Sequence, residues 1–178
     1  TLSPDHEISI TASRTRDGGE DRFEIPITSD ALVIDYGREA VRDSLEYQHF
    51  LGLSDKWRAS WGAEYRRYSV QAPQLFNTDQ VQRANSLRAY TNLEWRPLND
   101  WTFNLGGLIE RDSVAGTQFA PRLVANWKFA QNQTLKLGYS DAFRTPSLYE
   151  QRADTRYVFN GKTVRIDYLS FGDLKPER

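Results

Sequence analysis

The residues of this chain best suited to bind a ligand are arginines in its second half. Arginine supplies most of the 23 basic residues, and a guanidinium group holds a carboxylate or another anion through two parallel hydrogen bonds. Its flat plane also stacks on aromatic ligands. The candidate ligand-binding residues are Arg122, Arg144, Glu150, Arg152, Arg156 and Tyr157.

Other kinds of chemistry find no support in the sequence. Cysteine is absent, which excludes disulfides, thiolate catalysis and cysteine-based zinc sites. His6 and His49 are far apart and lack ligand-like neighbours, so we expect neither a metal site nor a cofactor. The acidic residues have no catalytic spacing, and no phosphate-binding glycine loop or nucleophile motif is present, so we expect no enzyme. The net charge of -1 argues against nucleic acid as the main partner.

The candidate residues are positioned by segments in which apolar and polar side chains alternate. In residues 57–71, Trp57 and Trp61 fall on one face, and Arg58 and Glu64 fall on the other. This period of two is typical of β-strands. The same pattern predicts strands near residues 45–53, 86–95, 101–110, 119–129 and 135–140.

Glutamates share the polar face of these strands with the arginines. Because the two charges alternate along the chain, a charge-balanced wall remains the alternative to an anion-binding one. The glutamates on this face are Glu46, Glu64, Glu94 and Glu110.

The predicted strands are long enough to cross a membrane. They run for about 9–12 residues, the length that a tilted membrane-crossing strand requires. The mean hydropathy of -0.68 and the lack of an apolar run of about 18 residues exclude a transmembrane helix. A transmembrane barrel needs only alternate side chains to be apolar. The sequence therefore predicts an all-β fold, a transmembrane antiparallel β-barrel.

The connections between strands alternate in length. Short polar turns are predicted at 54–56, 97–100 and 130–133, and longer links at 72–84, 113–118 and 145–171. Aromatic residues of the type that line a membrane interface stand beside the short turns. They are Trp57, Trp95, Trp101, Trp127 and Phe129.

Two regions have less regular patterns. In the first, strands are predicted at 6–12, 22–27 and 31–36, with a charged loop at 14–21 and an outer loop at 37–43. In the second, residues 157–159 and 164–168 predict a hairpin with a type I′ turn at Asn160-Gly161. Without this hairpin, which would belong to an external loop, we count about eight barrel strands and the start of a ninth at 172–178.

Two motifs give the chain a family resemblance. The first is Ala142-Phe143-Arg144-Thr145-Pro146-Ser147-Leu148-Tyr149-Glu150, preceded by Pro121-Arg122 at the head of a strand. The second is Gly172-Asp173-Leu174-Lys175-Pro176-Glu177-Arg178. At these positions the chain resembles the barrel of TonB-dependent outer-membrane receptors, from about residue 35 to residue 178.

The resemblance implies a barrel of 22 strands around a globular plug, in the outer membrane of a bacterium. Cargo would bind at the outer face, and the TonB complex would act through the plug. Residues 1–178 are then one continuous segment of the barrel domain, and plug and TonB-contacting segment lie outside it. The absence of methionine and of a signal peptide also indicates an excised piece.

The resemblance implies uptake of a scarce nutrient, with a ferric siderophore as the commonest cargo of the family. The partners would be outer-membrane lipid, the TonB complex and the iron-siderophore. Cobalamin or a glycan is the alternative cargo, and a passive porin or a structural outer-membrane barrel is the alternative protein. Two roles remain open for the motif residues: they hold strand ends and loops, or they help to hold an anion. The loop between the motifs is the expected contact surface for cargo.

Overall fold

The computed structural model describes residues 5–27, 30–160 and 162–178 of the chain. In chain order its elements are β1 (His6–Gly19), β2 (Arg22–Ile27), β3 (Asp30–Asp35), β4 (Arg38–Ser54), β5 (Trp57–Gln71), α1 (Pro73–Phe76), β6 (Gln82–Leu98), β7 (Trp101–Asp112), β8 (Gly116–Ala130), β9 (Gln133–Ser140), α2 (Leu148–Arg152), β10 (Asp154–Phe159) and β11 (Lys162–Leu169). None of its helices is long and apolar enough to cross a membrane.

One antiparallel sheet dominates the described residues. Its seven strands follow the order β1-β4-β5-β6-β7-β8-β9, and two separate hairpins, β2-β3 and β10-β11, stand beside it. Neighbours in sequence are therefore neighbours in the sheet, except that the β2-β3 hairpin is inserted between β1 and β4. The predicted all-β, antiparallel architecture is confirmed.

The sheet has one apolar face and one polar face, as the period of two predicts. Trp57 lies opposite Trp95, and the next pair along the strands is Arg58 opposite Glu94. The side chains of the apolar face contact little protein, and Ile10 and Leu137 are 70% and 75% exposed. Exposed apolar side chains in such number suit a lipid environment.

Aromatic rings gather at one end of the apolar face, which we call the turn end because the short turns of the sheet lie there. Trp57 stacks on Trp95 with ring centroids 5.2 Å apart, and Trp101 stacks on Trp127 at 5.4 Å. Phe129 lies next to Trp127. These are the residues predicted to stand beside short turns, and the structure brings them into one row.

The opposite end of the sheet, the loop end, departs from the prediction in its first strands. The predicted strand at 6–12 continues to Gly19, so the predicted loop at 14–21 is largely strand. The predicted outer loop at 37–43 belongs to β4 except for Gly37. Charged residues suggested loops, but they pair across the two strands: Arg14 donates to Asp43 at 2.6 Å and 3.1 Å. Such pairs let charged residues remain in the ladder.

Two further predictions about this end are wrong. The link predicted at 113–118 is a tight turn, because Asp112 accepts the backbone N–H groups of Val114 and Ala115 at 2.7 Å and 3.1 Å. Gly116 then adopts a positive φ of 79°, which costs glycine little. Residues 172–178 form no strand; they contribute a single antiparallel bridge between Arg144 and Glu177. The described residues contain eleven strands, of which seven form the main sheet. The expected eight to nine barrel strands are not all in this sheet, because β2 and β3 pair with each other as a separate hairpin.

Most of the buried residues lie at the loop end. We call β2, β3, α1, α2, β10 and β11 together the outer assembly. Leu32 and Ile34 of β3, Phe76 of α1 and Thr155 of β10 are at most 8% exposed. Contacts join α1 with β10 and α2, and β10 with β3. The segments between the strands therefore share a small core of their own.

Candidate ligand-binding site at the loop end

Arg144 joins the two sequence motifs at the base of the outer assembly. Its guanidinium group donates to both oxygens of Glu150 at 3.0 Å and 3.1 Å, and to both oxygens of Glu177 at 2.9 Å and 3.0 Å. The backbones of Arg144 and Glu177 also exchange two hydrogen bonds, of 3.0 Å and 3.1 Å. We call these three residues the clasp, because they close the chain between residues 144 and 177 into a loop.

Helix α2 begins at the clasp. Ser147 caps it by accepting the N–H of Glu150 at 3.2 Å, and the Glu150 carboxylate accepts the N–H of Ser147 at 2.7 Å. This reciprocal pair is a capping box. The Arg144 hydrogen bonds and the Ser147 N–H together lower the pKa of Glu150 to about 2. The pKa of Glu177 is lowered by Arg144 as well, so both carboxylates stay ionised.

The β10-β11 hairpin is tied to the rest of the outer assembly by polar contacts. Thr155, which is 1% exposed, donates to the carbonyl of Leu75 at 3.2 Å. Asn77 donates to the Asp154 carboxylate at 3.3 Å. The predicted hairpin is confirmed, and Asn160 has the positive φ of 47° that a type I′ turn requires. Gly161, the other residue of the predicted turn, lies outside the described residues.

Five of the six candidate residues come together in or beside the outer assembly. Arg144 and Glu150 belong to the clasp. Arg152 donates to the carbonyl of Arg83 at 3.2 Å, and Arg156 pairs with Asp154. Tyr157 contacts the Tyr36 hydroxyl, which raises the pKa of Tyr157. These contacts leave the arginines partly exposed but already engaged with the protein.

Arg122 lies apart from the other five candidates. It stands on the polar face of β8, opposite Gly106 of β7 and Ser140 of β9. Within the described ranges it forms no ion pair, unlike Arg144 and Arg156. A free guanidinium on the polar face is available to an anion.

The glutamates of the polar face all have partners. Glu110 accepts from Arg88 at 2.6 Å, and Glu46 accepts from the Tyr90 hydroxyl at 2.7 Å. Glu64 pairs with Arg66, and Glu94 pairs with Arg96 at 2.8 Å. The arrangement along β4 to β7 is that of the charge-balanced wall.

A cavity of about 600 Å³ lies between this wall and the segment that carries the first motif. Tyr68 and Ser86 line it from the wall, and Phe76, Phe143 and Tyr149 line it from the other side. Its volume falls in the range of small-molecule sites, roughly 300–1,000 Å³. Sequence reasoning missed Ser86 and Phe76: alternation placed Ser86 on the polar face, but no local signal indicates that it is buried.

No metal centre appears at this end. Within the described residues no cluster of three or more histidine, aspartate or glutamate side chains is arranged to hold a metal ion. His6 and His49 are far apart in sequence, yet their rings lie 5.7 Å apart on the sheet. They pack there beside Trp61 and Tyr47.

Long antiparallel strands, an apolar face open to lipid and an aromatic row at the turn end define a wall segment of an outer-membrane β-barrel. Comparison with known families shows which family of outer-membrane β-barrels this is. The chain matches the model of the family "TonB dependent receptor-like, beta-barrel" over residues 4–178, and it belongs to that family. This match confirms what the paired motifs indicate and places the chain in the bacterial outer membrane.

Two related sequences agree with this assignment. Over 84 residues, 47% of the chain, it is 33% identical to the "Iron-regulated outer membrane virulence protein" of Vibrio cholerae serotype O1, El Tor Inaba strain. The same protein of the classical Ogawa strain is 31% identical over 84 residues. The matched stretch covers 12% of either relative.

The fold is similar to that of a solved receptor. The crystal structure of the siderophore receptor PirA from Pseudomonas aeruginosa matches with a TM-score of 0.61 and 16% identity. The match covers 84% of this chain and 34% of that one. The chain therefore spans about a third of the length of the receptor it resembles.

Proposed function

We propose that the chain is part of an outer-membrane receptor that imports a ferric siderophore with energy supplied through TonB. Membership of the TonB-dependent receptor family supports active uptake rather than passive diffusion or enzymatic chemistry. The names of the relatives, an iron-regulated outer-membrane protein and a siderophore receptor, support iron as the cargo.

The observation that carries the proposal is the clasp. A passive porin has no reason to keep two separate motifs, but here Arg144 of the first motif binds Glu177 of the second. The clasp holds the base of a loop that packs on two other connections rather than extending into solvent. A receptor requires such a shaped surface because cargo must be recognised before it is transported.

We assign the contact with an anionic cargo to the arginines near this surface. Arg152 and Arg156, with Tyr157, lie on the outer assembly, and Arg122 provides an unpaired charge on the wall. Arginine suits the task because its guanidinium group remains charged and attracts anions over a distance. Arg144 and Glu150 contribute by holding the loop that carries these groups. Lipid contacts the apolar face, and TonB acts through the plug of the whole receptor.

Deletion of the intact gene tests the proposal. We expect loss of radioactive iron uptake from one or more defined ferric siderophores, with uptake restored by the complete gene. Loss of proton-motive force should abolish uptake in the restored strain while leaving surface binding intact. Normal iron uptake from every source, with loss of cobalamin or glycan uptake, would contradict the iron assignment. Uptake that does not depend on TonB would indicate a passive barrel.

A further inference from the structure

The cavity behind the first motif has a hydrogen-bonding group that the protein itself does not use. Ser86 is 2% exposed and lines the cavity, and its Oγ has no hydrogen-bond partner within the described residues. A buried hydroxyl without a partner costs about 1–3 kcal/mol. A ligand that reaches Ser86 recovers that cost, so the position is suited to specific recognition.

A second polar group of the lining lies on the neighbouring strand, where Glu110 is two residues from Asp112, the cross-strand partner of Ser86. Glu110 is also 2% exposed, and its Oε2 is taken by Arg88. Within the described residues its Oε1 receives only the Thr145 hydroxyl at 3.5 Å, which is at the limit of a hydrogen bond. Glu110 can therefore accept a further hydrogen from a ligand, whereas Ser86 can either donate or accept.

The rest of the cavity surface favours an uncharged ring. Phe76 and Tyr149 meet edge to face with centroids 6.3 Å apart, and Tyr68 and Phe143 add two more rings to the lining. Aromatic walls stack on flat rings with a gain of about 0.5–1.5 kcal/mol for each good pair.

Among the described residues of the lining, an anionic group finds no free counter-charge. Its three arginines are all paired: Arg38 with Asp17 at 3.4 Å, Arg88 with Glu110, and Arg144 with two carboxylates. The buried carboxylate of Glu110 would repel a second anion. The lining is therefore complementary to a neutral group that donates a hydrogen bond.

We propose that this cavity is a subsite for an uncharged ring that carries a hydroxyl group. In the transport cycle the ring would be the neutral part of the cargo, an assignment that rests on the proposed function, while the charged part contacts the arginines outside the cavity. The ring stacks between the aromatic side chains, and its hydroxyl donates to Glu110 and bonds to Ser86.

Fluorine NMR of the full-length receptor in detergent tests the subsite, with para-fluorophenol as the neutral probe and para-fluorobenzoate as the anionic one. We expect the phenol to bind and the benzoate not to bind at neutral pH. Ser86→Ala removes one oxygen without changing the fold and should weaken phenol binding about three- to tenfold, the value of one hydrogen bond. Ala84→Trp, at a buried position of the lining, should abolish binding by filling the cavity.

Ala89→Trp is the matched control, because Ala89 lies on the same strand but is exposed on the apolar face. It should bind the phenol as the unaltered receptor does. Equal phenol binding in all variants, or benzoate binding as tight as that of the phenol, overturns the subsite. Iron uptake in the same variants separates the two proposals. If Ser86→Ala and Ala84→Trp take up iron normally and bind the cargo with unchanged affinity, the role of the cavity in cargo binding is refuted and the proposed function stands. If the unaltered receptor binds the phenol but takes up no iron, the proposed function is refuted and the subsite stands.

Discussion

Gly62 should be the least replaceable glycine of the sheet. It lies on β5 opposite Tyr90 of β6, and the Tyr90 ring crosses over it to donate to Glu46 of β4 at 2.7 Å. A Cβ atom at Gly62 would lie 2.5 Å from the Tyr90 hydroxyl oxygen and 2.6 Å from the backbone oxygen of Tyr47. Distances this short force the ring or the backbone to move.

The cost of Gly62→Ala follows from these contacts. Overpacking of a fitted site costs about 1–3 kcal/mol. Displacement of Tyr90 also removes its hydrogen bond to Glu46, for which we take about 1 kcal/mol because the pair is partly exposed to solvent. Alanine gains about 0.5–1 kcal/mol over glycine in a strand, so the free energy of unfolding should fall by about 1–3.5 kcal/mol in total. Tyr90→Phe removes only the hydrogen bond and should cost about 1 kcal/mol.

Denaturant unfolding of the full-length receptor, followed by tryptophan fluorescence, measures these changes. Gly138→Ala is the matched control, because its Cβ would meet Val124 at an ordinary 3.4 Å. Alanine is otherwise preferred over glycine within a strand by about 0.5–1 kcal/mol, so the control should be neutral or slightly stabilising. The reasoning is refuted if Gly62→Ala and Gly138→Ala unfold at the same denaturant concentration.

Three further predictions concern the loop end. The pKa of Glu150 is lowered from 4.5 to about 2, so its contribution to stability is complete above about pH 4.5 and is lost as the pH falls towards 2. Hydrogen exchange of α2 should accelerate across that interval, and Glu150→Gln should reduce the pH dependence to the part contributed by Glu177, whose pKa Arg144 also lowers. Thr155→Val keeps the volume but leaves the Leu75 carbonyl unpaired, which should cost about 1–3 kcal/mol and speed amide exchange in α1 and β10, whereas Thr163→Val on exposed β11 should change neither. Arg88→Gln leaves Glu110, only 3% exposed at its side chain, without its counter-ion and should lower the free energy of unfolding by about 2 kcal/mol or more. Its comparison variant, Arg122→Gln, should leave the free energy of unfolding unchanged and weaken the binding of anionic cargo. Denaturation and binding measurements that show unchanged stability in Arg88→Gln and lowered stability with normal binding in Arg122→Gln contradict both assignments.

The sheet could be predicted from the sequence because its signal is local. In a two-sided wall every second residue faces lipid, and the alternation of Trp57, Ala59 and Trp61 with Arg58 and Ser60 is visible within a few residues. The turn end was predictable for the same reason, since short polar turns and aromatic residues are neighbours in sequence. Charge misled the prediction only where residues of opposite sign pair across strands, as Arg14 and Asp43 do.

The candidate site could be predicted only in part, because its contacts connect distant residues. Tyr36 and Tyr157 are 121 positions apart, and Thr155 contacts a carbonyl 80 positions away. Neither pair leaves a periodic pattern. Arg144 and Glu150 were found because they belong to one short motif, whereas their common partner Glu177 was recognised only as part of the second motif. Ser86 looked like any other residue of the polar face.

The position of the buried residues explains why the outer assembly can act as a preformed surface. A wall with lipid on one side and a polar interior on the other has little protein to pack against, and its apolar side chains remain exposed in this chain. Apart from Gly62, which Tyr90 covers, the buried residues lie in the outer assembly or beside it at the loop end. The connections are thus ordered by a core of their own and by the clasp. Because their conformational entropy is already lost on folding, less must be lost when a ligand binds to this surface, and a larger share of the contact energy appears as affinity.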